Sequence, residues 1–311
     1  MMVKAAYLFS GQGQQFEGMG MDLYQTEPAY RALVDEASQI LGQNFAKQDV
    51  IDNEENLQLS IVILSLGIAR ILSSEKIAPQ KFLGLSLGEY SALIAANGFS
   101  IDEGLKVLED RSKYMAEAGK LNPSQMVAVL NASDDVMNEA MHSAREFGKV
   151  YPANYNTPKQ TVFGGDAAGI NKFSALLKAA GVKRVVPIKM SVASHTPFMQ
   201  MASDNLKTRL ENVTVAQPNV PVISNTIKTE FTKTNIKQTL ADQLVTPTYF
   251  TDCLAVIEAD PIDCLVEIGP GKALSGFAKK TLKNKDLPIF NVYDVETLQK
   301  LRNYLSKQEA N

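Results

Sequence analysis

The sequence predicts an α/β protein whose mainly parallel sheet is interrupted by a small inserted domain. Three observations predict it. Short apolar runs alternate with longer amphipathic segments in the first and last parts of the chain, the rhythm of strands joined by crossover helices. A Gly-x-Ser-x-Gly turn stands between one such run and a helix. Between residues 124 and 190 the order changes to β-α-β-β-α-β, a split unit of its own.

Taken in order, residues 5–9 form a short apolar strand closed by Ser10-Gly11-Gln12-Gly13. Residues 28–41 and 101–115 repeat apolar side chains at helical spacing. The most apolar stretch, 61–72, reads as a buried helix too short to span a bilayer. Residues 81–85 are a strand that runs at once into a turn and a helix ending near Asn97-Gly98. In the middle segment 126–131 is a strand, 133–147 a helix, 150–155 and 161–164 strands, 166–180 a helix and 183–189 a strand. That is the ferredoxin-like order, so a small subdomain is expected at 124–190 and a large one at 1–123 and 191–311. Beyond it, Pro197 opens a helix to residue 210, and 220–224 and 262–268 are strands bounded by Pro or Gly.

Composition narrows the class. A chain of 311 residues supports one large domain with a smaller companion. Its 45% hydrophobic and 21% charged residues exclude disorder. With a net charge of -3 and no basic stripe, nucleic acid is not an expected partner. Cys253 and Cys264 make no CxxC pair and are too few for a disulfide framework, so buried reduced thiols are expected. The start Met-Met-Val-Lys leads straight into a strand with no cleavage site, so the expectation is a cytoplasmic protein with no membrane partner.

The chemistry begins at Gly84-Leu85-Ser86-Leu87-Gly88. Glycines at both ends suit a sharp strand-to-helix turn that lifts the Ser86 hydroxyl off the sheet. The next N–H, from Leu87, lies at the helix start, where the dipole favours an oxyanion. The alternative is a buried serine in a tight turn. A serine nucleophile needs a base, and the chain has two histidines. His142 falls opposite the apolar face of Val136, Ala140, Ala144 and Phe147, beside Glu139 and Glu146, so it reads as a surface residue. His195 stands in Val192-Ala193-Ser194-His195-Thr196-Pro197, where Thr196 suits an N-cap and Pro197 the first helical position. It is either the base or a loop histidine bonded to backbone. Arg111, after Glu109-Asp110, reads by itself as a surface ion-pair residue. Gly11-x-Gly13 lacks the third glycine of a dinucleotide fingerprint.

Five motifs in order resemble the bacterial malonyl-CoA:acyl-carrier-protein transacylase family over residues 4–290: Leu8-Phe9-Ser10-Gly11-Gln12-Gly13, Gly84-Leu85-Ser86-Leu87-Gly88-Glu89-Tyr90-Ser91-Ala92-Leu93, Arg111, Ser194-His195 and Val266-Glu267-Ile268-Gly269-Pro270-Gly271. The resemblance implies an α/β-hydrolase-like core with a ferredoxin-like insert. It implies that Ser86 carries malonyl from coenzyme A to the phosphopantetheine thiol of acyl carrier protein, supplying fatty acid synthesis, with His195 as base. The main-chain carbonyl of Gln243 would orient the imidazole, and backbone N–H groups of Gln12 and Leu87 would form the oxyanion hole. Arg111 would hold the malonyl carboxylate by a two-pronged hydrogen bond. Asn156 and Asn225 are expected to line the pocket, the alternative for each being a turn residue. No metal and no cofactor is expected, malonyl-CoA being a substrate, and the enzyme is expected to be a monomer. An acidic carrier would meet Lys183, Arg184 and Lys189, or Lys279, Lys280 and Lys283, unless these are ordinary solvated cations. The chain departs from the family at Leu85, where histidine is common, and at Ser10, where proline is common. Val192-Ala193-Ser194-His195 is similar to the variant in polyketide acyltransferases that take larger malonyl derivatives.

Two other readings stay open. A serine esterase would need an acid between Ser86 and His195 and would gain nothing from Arg111. A scaffold that binds carrier protein without turnover would have no need of Ser86 and His195.

Overall fold

Nine strands form two sheets among the described residues, 2–189 and 192–309, of the computed structural model. In chain order they are β1 (Val3–Phe9), β2 (Ile77–Gly84), β3 (Gln125–Leu130), β4 (Val150–Thr157), β5 (Gln160–Gly165), β6 (Arg184–Ile188), β7 (Val222–Ile223), β8 (Cys264–Ile268) and β9 (Ile289–Val292). The chain divides into two units, one of Met1–Glu109, Val213–Ile236 and Cys253–Asn311, the other of Asp110–Asn212 and Lys237–Asp252.

The first unit holds a five-stranded sheet in the order β7-β2-β1-β8-β9. Every neighbouring pair is parallel. β2 begins at Ile77, earlier than the expected residue 81, where Val3 of β1 already pairs with it, and it passes through Pro79. A proline has no N–H for the ladder; here β1 shifts register between Ala5 and Ala6, and β7 reaches only Phe82 and Leu83, so no neighbour needs that N–H. Phe9 pairs with Gly84, so the loops that leave β1 and β2 emerge side by side at the carboxyl ends of the strands, where parallel sheets place their sites.

The core of this unit includes the helix Leu57–Leu72, buried over Leu59–Ile68 and again at Ile71 and Leu72. The expected buried helix at 61–72 is the later part of a longer one: the helical run Glu54–Leu72 is long and apolar enough by length and hydropathy to cross a bilayer. Its most apolar window is 78% buried within the fold, which makes it a core helix. It packs against β8 and the helix Gly88–Ala95. The expected strand at 220–224 is only Val222–Ile223, and β9 and the helix Val295–Glu309 were not anticipated.

The second unit holds a four-stranded antiparallel sheet in the order β4-β5-β3-β6, the ferredoxin-like arrangement. Ser133 caps the helix Asp134–Ala144 and Asp166 caps Ala167–Ala179, each accepting a backbone N–H of the first turn. Alternation along β3 splits its side chains between two cores. Val127 and Val129 join Phe163, Phe173, Ile170 and Leu177 on the helix side. Met126 and Ala128 join Val162 and Ala153 on the other face, which is closed by Ala193 and Phe198. The unit is therefore larger than the 124–190 segment, because the second face takes its cover from the chain that follows. The expected boundary at 190/191 lies outside the described residues. Cys253 and Cys264 are buried and form no disulfide, and the Cys253 thiol donates to the Ser224 carbonyl at 3.3 Å.

Candidate active site

Ser86 sits between β2 and the helix Gly88–Ala95 with φ +53°, a left-handed conformation rare for a residue with a side chain. Its turn is closed by Gly88 N–H to Leu85 (3.0 Å), Glu89 N–H to Ser86 (3.1 Å) and Tyr90 N–H to Leu87 (3.1 Å) carbonyls. The flanking glycines are required by space. A Cβ on Gly84 would lie 2.0 Å from the Gly88 carbonyl carbon, and one on Gly88 would lie 2.1 Å from the Phe9 oxygen. Leu87 occupies the N-cap position, so its N–H stands at the positive end of the helix.

The loop that carries Gln12 runs beside this turn. A Cβ on Gly11 would come within 2.8 Å of the Leu85 oxygen, and Leu85 N–H donates to Phe9 at 3.2 Å. Gln12 itself is exposed. The loop is held from below by Glu267 at the end of β8. This buried carboxylate accepts N–H bonds from Leu274 (3.0 Å) and Ser275 (2.7 Å) and the Ser10 hydroxyl at 3.4 Å. Burial pushes its pKa up, and the bonds from Ser275, Leu274 and Ser10 oppose that.

Asn225, just after β7, braces the turn from the other side. Its side-chain amide donates to the Gly84 carbonyl and its backbone N–H donates to Glu89 Oε1, both at 2.6 Å. Asn225 and Glu89 are fully buried, and Asn225 Oδ1 has no partner among the described residues. The sequence reading gave Glu89 and Glu267 no role. The available signal was an acid placed within an otherwise apolar strand or helix start, where an ionised side chain needs bonded partners.

His195 belongs to the second unit. It too is left-handed, with φ +65°, and its N–H donates to the Leu244 carbonyl at 2.9 Å. Thr196 N-caps the turn Pro197–Met199 and bonds back to the Ala193 carbonyl at 2.6 Å. The preceding Ala193 lies so close to β5 that a Cβ on Gly164 would come within 2.9 Å of its methyl group. His195 is 3% exposed, and its Nδ1 lies 2.7 Å from the main-chain oxygen of Gln243. A carbonyl only accepts, so Nδ1 carries the proton and Nε2 keeps the lone pair of a base. Burial pushes the ring down to about 4; the Gln243 bond opposes this and the Arg111 charge adds to it. His142 is exposed on its helix, as the sequence indicated.

Arg111, on the helix Ile101–Leu121, is 1% exposed, which overturns its reading as a surface ion-pair residue. Its neighbour Asp110 instead pairs with Arg209 at 2.6 Å. Arg111 Nη2 donates to Gln243 Oε1 at 3.3 Å. The His195 imidazole, the Arg111 guanidinium and Gln243 thus form one linked group in this unit. Asn156 lies on β4, not in a turn, with its side-chain oxygen buried and unpartnered among the described residues.

Residues 6–303 match the family model described as the acyl transferase domain. A malonyl CoA-acyl carrier protein transacylase of Bacillus subtilis is 34% identical, covering 100% of both chains. A crystal structure of such an enzyme from Streptococcus pneumoniae superposes with TM-score 0.91 at 36% identity, covering 97% of this chain and 100% of that one. A malonyl-transacylase in complex with its type II polyketide acyl-carrier protein aligns with TM-score 0.89 at 29% identity, over 96% of this chain and 99% of that one.

Proposed function

The chain belongs to the acyl transferase family, and from that premise we propose that it is a malonyl-CoA:acyl-carrier-protein transacylase supplying fatty acid synthesis. The observation that carries the reading is a buried guanidinium, Arg111, bonded to the same residue that orients the histidine base. A buried arginine calls for an anion, and of the common short acyl groups malonyl brings a free carboxylate. An acetyl group has no carboxylate to offer that guanidinium.

In the proposed cycle His195 Nε2 takes the Ser86 proton as the hydroxyl attacks the thioester carbonyl. The Leu87 and Gln12 N–H groups receive the oxyanion. The C–S bond breaks, the coenzyme A sulfur takes the proton from the imidazolium, and malonyl stays on Ser86. The phosphopantetheine thiol of acyl carrier protein then gives its proton to His195 and attacks the ester; the C–O bond to Ser86 breaks, the Ser86 oxygen takes the proton back from the imidazolium, and malonyl leaves as the carrier thioester. A main-chain carbonyl suffices as the third member because a thioester is easier to cleave than an amide. In this reading the enzyme is a cytoplasmic monomer needing no metal or redox cofactor. Exposed cations at Lys183, Arg184 and Lys189, or at Lys279, Lys280 and Lys283, would receive the acidic carrier.

The test is incubation with malonyl-CoA, mass spectrometry of Ser86, and then addition of carrier protein. A malonyl adduct on Ser86 that moves to the carrier, absent in Ser86→Ala, is expected. Rapid hydrolysis without transfer would make the chain an esterase instead.

A further inference from the structure

Gln243 makes two bonds from two different parts of itself. Its main-chain oxygen receives His195 Nδ1–H at 2.7 Å, and its side-chain oxygen receives Arg111 Nη2–H at 3.3 Å. All three residues are buried. The backbone around them is pinned. Gln243 is the last residue of the helix Ile236–Gln243, and the next carbonyl, that of Leu244, accepts the His195 N–H. The helix end is tied down further by Ser203, whose hydroxyl donates to the Ala241 carbonyl at 2.8 Å.

An arginine side chain has many rotamers, and its planar fork meets a carboxylate with two bonds only in one orientation. The Gln243 amide oxygen takes one Nη2 proton at 3.3 Å and so restricts the rotation of the fork. We propose that the Gln243 side chain is the positioning residue for acyl selectivity: it aims the Arg111 guanidinium at the carboxylate of the acyl group, while the main-chain carbonyl of the same residue separately orients the base. The inference rests on the function proposed above and adds a selectivity role for a side chain.

The two roles separate cleanly, because every substitution at 243 keeps a main-chain carbonyl. Gln243→Met keeps the length and removes the acceptor. Gln243→Glu places a fixed anion on Arg111, which competes with the substrate carboxylate. Steady-state acylation by malonyl-CoA and by acetyl-CoA, on the full-length enzyme, reads both. The malonyl-to-acetyl ratio of kcat/KM should fall about tenfold in Gln243→Met, mostly through KM for malonyl-CoA, and further in Gln243→Glu. The acid limb of the kcat/KM profile with acetyl-CoA should stay at its wild-type midpoint in Gln243→Met, since the carbonyl still holds Nδ1. Equal loss on both substrates, or a ratio within twofold of wild type in both variants, overturns the inference. If Gln243→Met fails to fold, as thermal melting would show, Gln243→Glu decides by the same ratio. A wild-type enzyme with no malonyl preference would instead sink the proposed function itself, and is seen before any variant is made.

Discussion

Ser86 and His195, both left-handed, each hold a conformation that costs an L-residue roughly 1–2 kcal/mol. Backbone bonds on the Ser86 carbonyl and the His195 N–H hold the strain in place. In the proposed cycle His195 accepts a proton only when neutral, and burial holds its pKa down to about 4. Acylation should therefore weaken only as pH falls towards 4, and not near the ordinary histidine value of 6.5. Stability has the same sign: the unfolded ring binds its proton from about 6.5 downward and the buried ring does not until about 4. The stabilisation is complete above 6.5 and drains away as pH falls from 6.5 to 4. Between pH 7 and pH 5 the wild type should lose about 2 kcal/mol more than His195→Asn in urea titrations; equal losses would show that the ring is not held neutral. At Arg111, substitution by Ala should cut malonyl transfer by two orders of magnitude or about that, and acetyl transfer far less, in paired assays on the two thioesters.

Among the elements, the β2–helix turn and the end of β8 carry the site. At Gly84 the atoms that a Cβ would strike are backbone, so nothing flexible can move aside. Gly84→Ala should cost more than about 3 kcal/mol in a denaturant titration. An alanine tolerated there would refute the close approach. At the end of β8, Glu267 ties the Ser10–Gly13 loop to the start of the helix Ala273–Thr281. Gln at this position keeps the shape but loses an acceptor, so Glu267→Gln should cost about 1–3 kcal/mol and lower kcat, because the loop bears the Gln12 N–H proposed to receive the oxyanion. Unchanged melting and turnover would make the buried acid dispensable.

For the molecule as a whole, the second unit is assembled from two separate stretches of chain, and His195 is bonded to Gln243 and Leu244 across that gap. Its sheet needs both faces covered. A fragment of residues 124–190 contains the helix-side core but lacks Ala193 and Phe198, which close the face of Met126, Ala128 and Val162. We expect that fragment to self-associate at micromolar concentration in sedimentation runs, through this exposed apolar face. A monodisperse, stable fragment would show that the cover is unnecessary.

What the sequence alone determined was local. The strand, glycine pair and helix around Ser86, the capped turn after His195, and the β-α-β-β-α-β order all follow from period, caps and steric room within a few residues. The motif set also singled out Arg111, which is buried although its immediate neighbours argued for the surface. What the tertiary structure decided were the long-range bonds: the Gln243 side chain on Arg111, the buried acids Glu89 and Glu267 under the nucleophile turn and its neighbouring loop, and the cover over the second face of the small sheet. These join residues up to 257 positions apart. Hydrophobic periodicity reports which face of an element is buried, and carries no record of which distant polar group will meet it there. That pairing is set only when the whole chain has packed and each buried donor has had to find its acceptor.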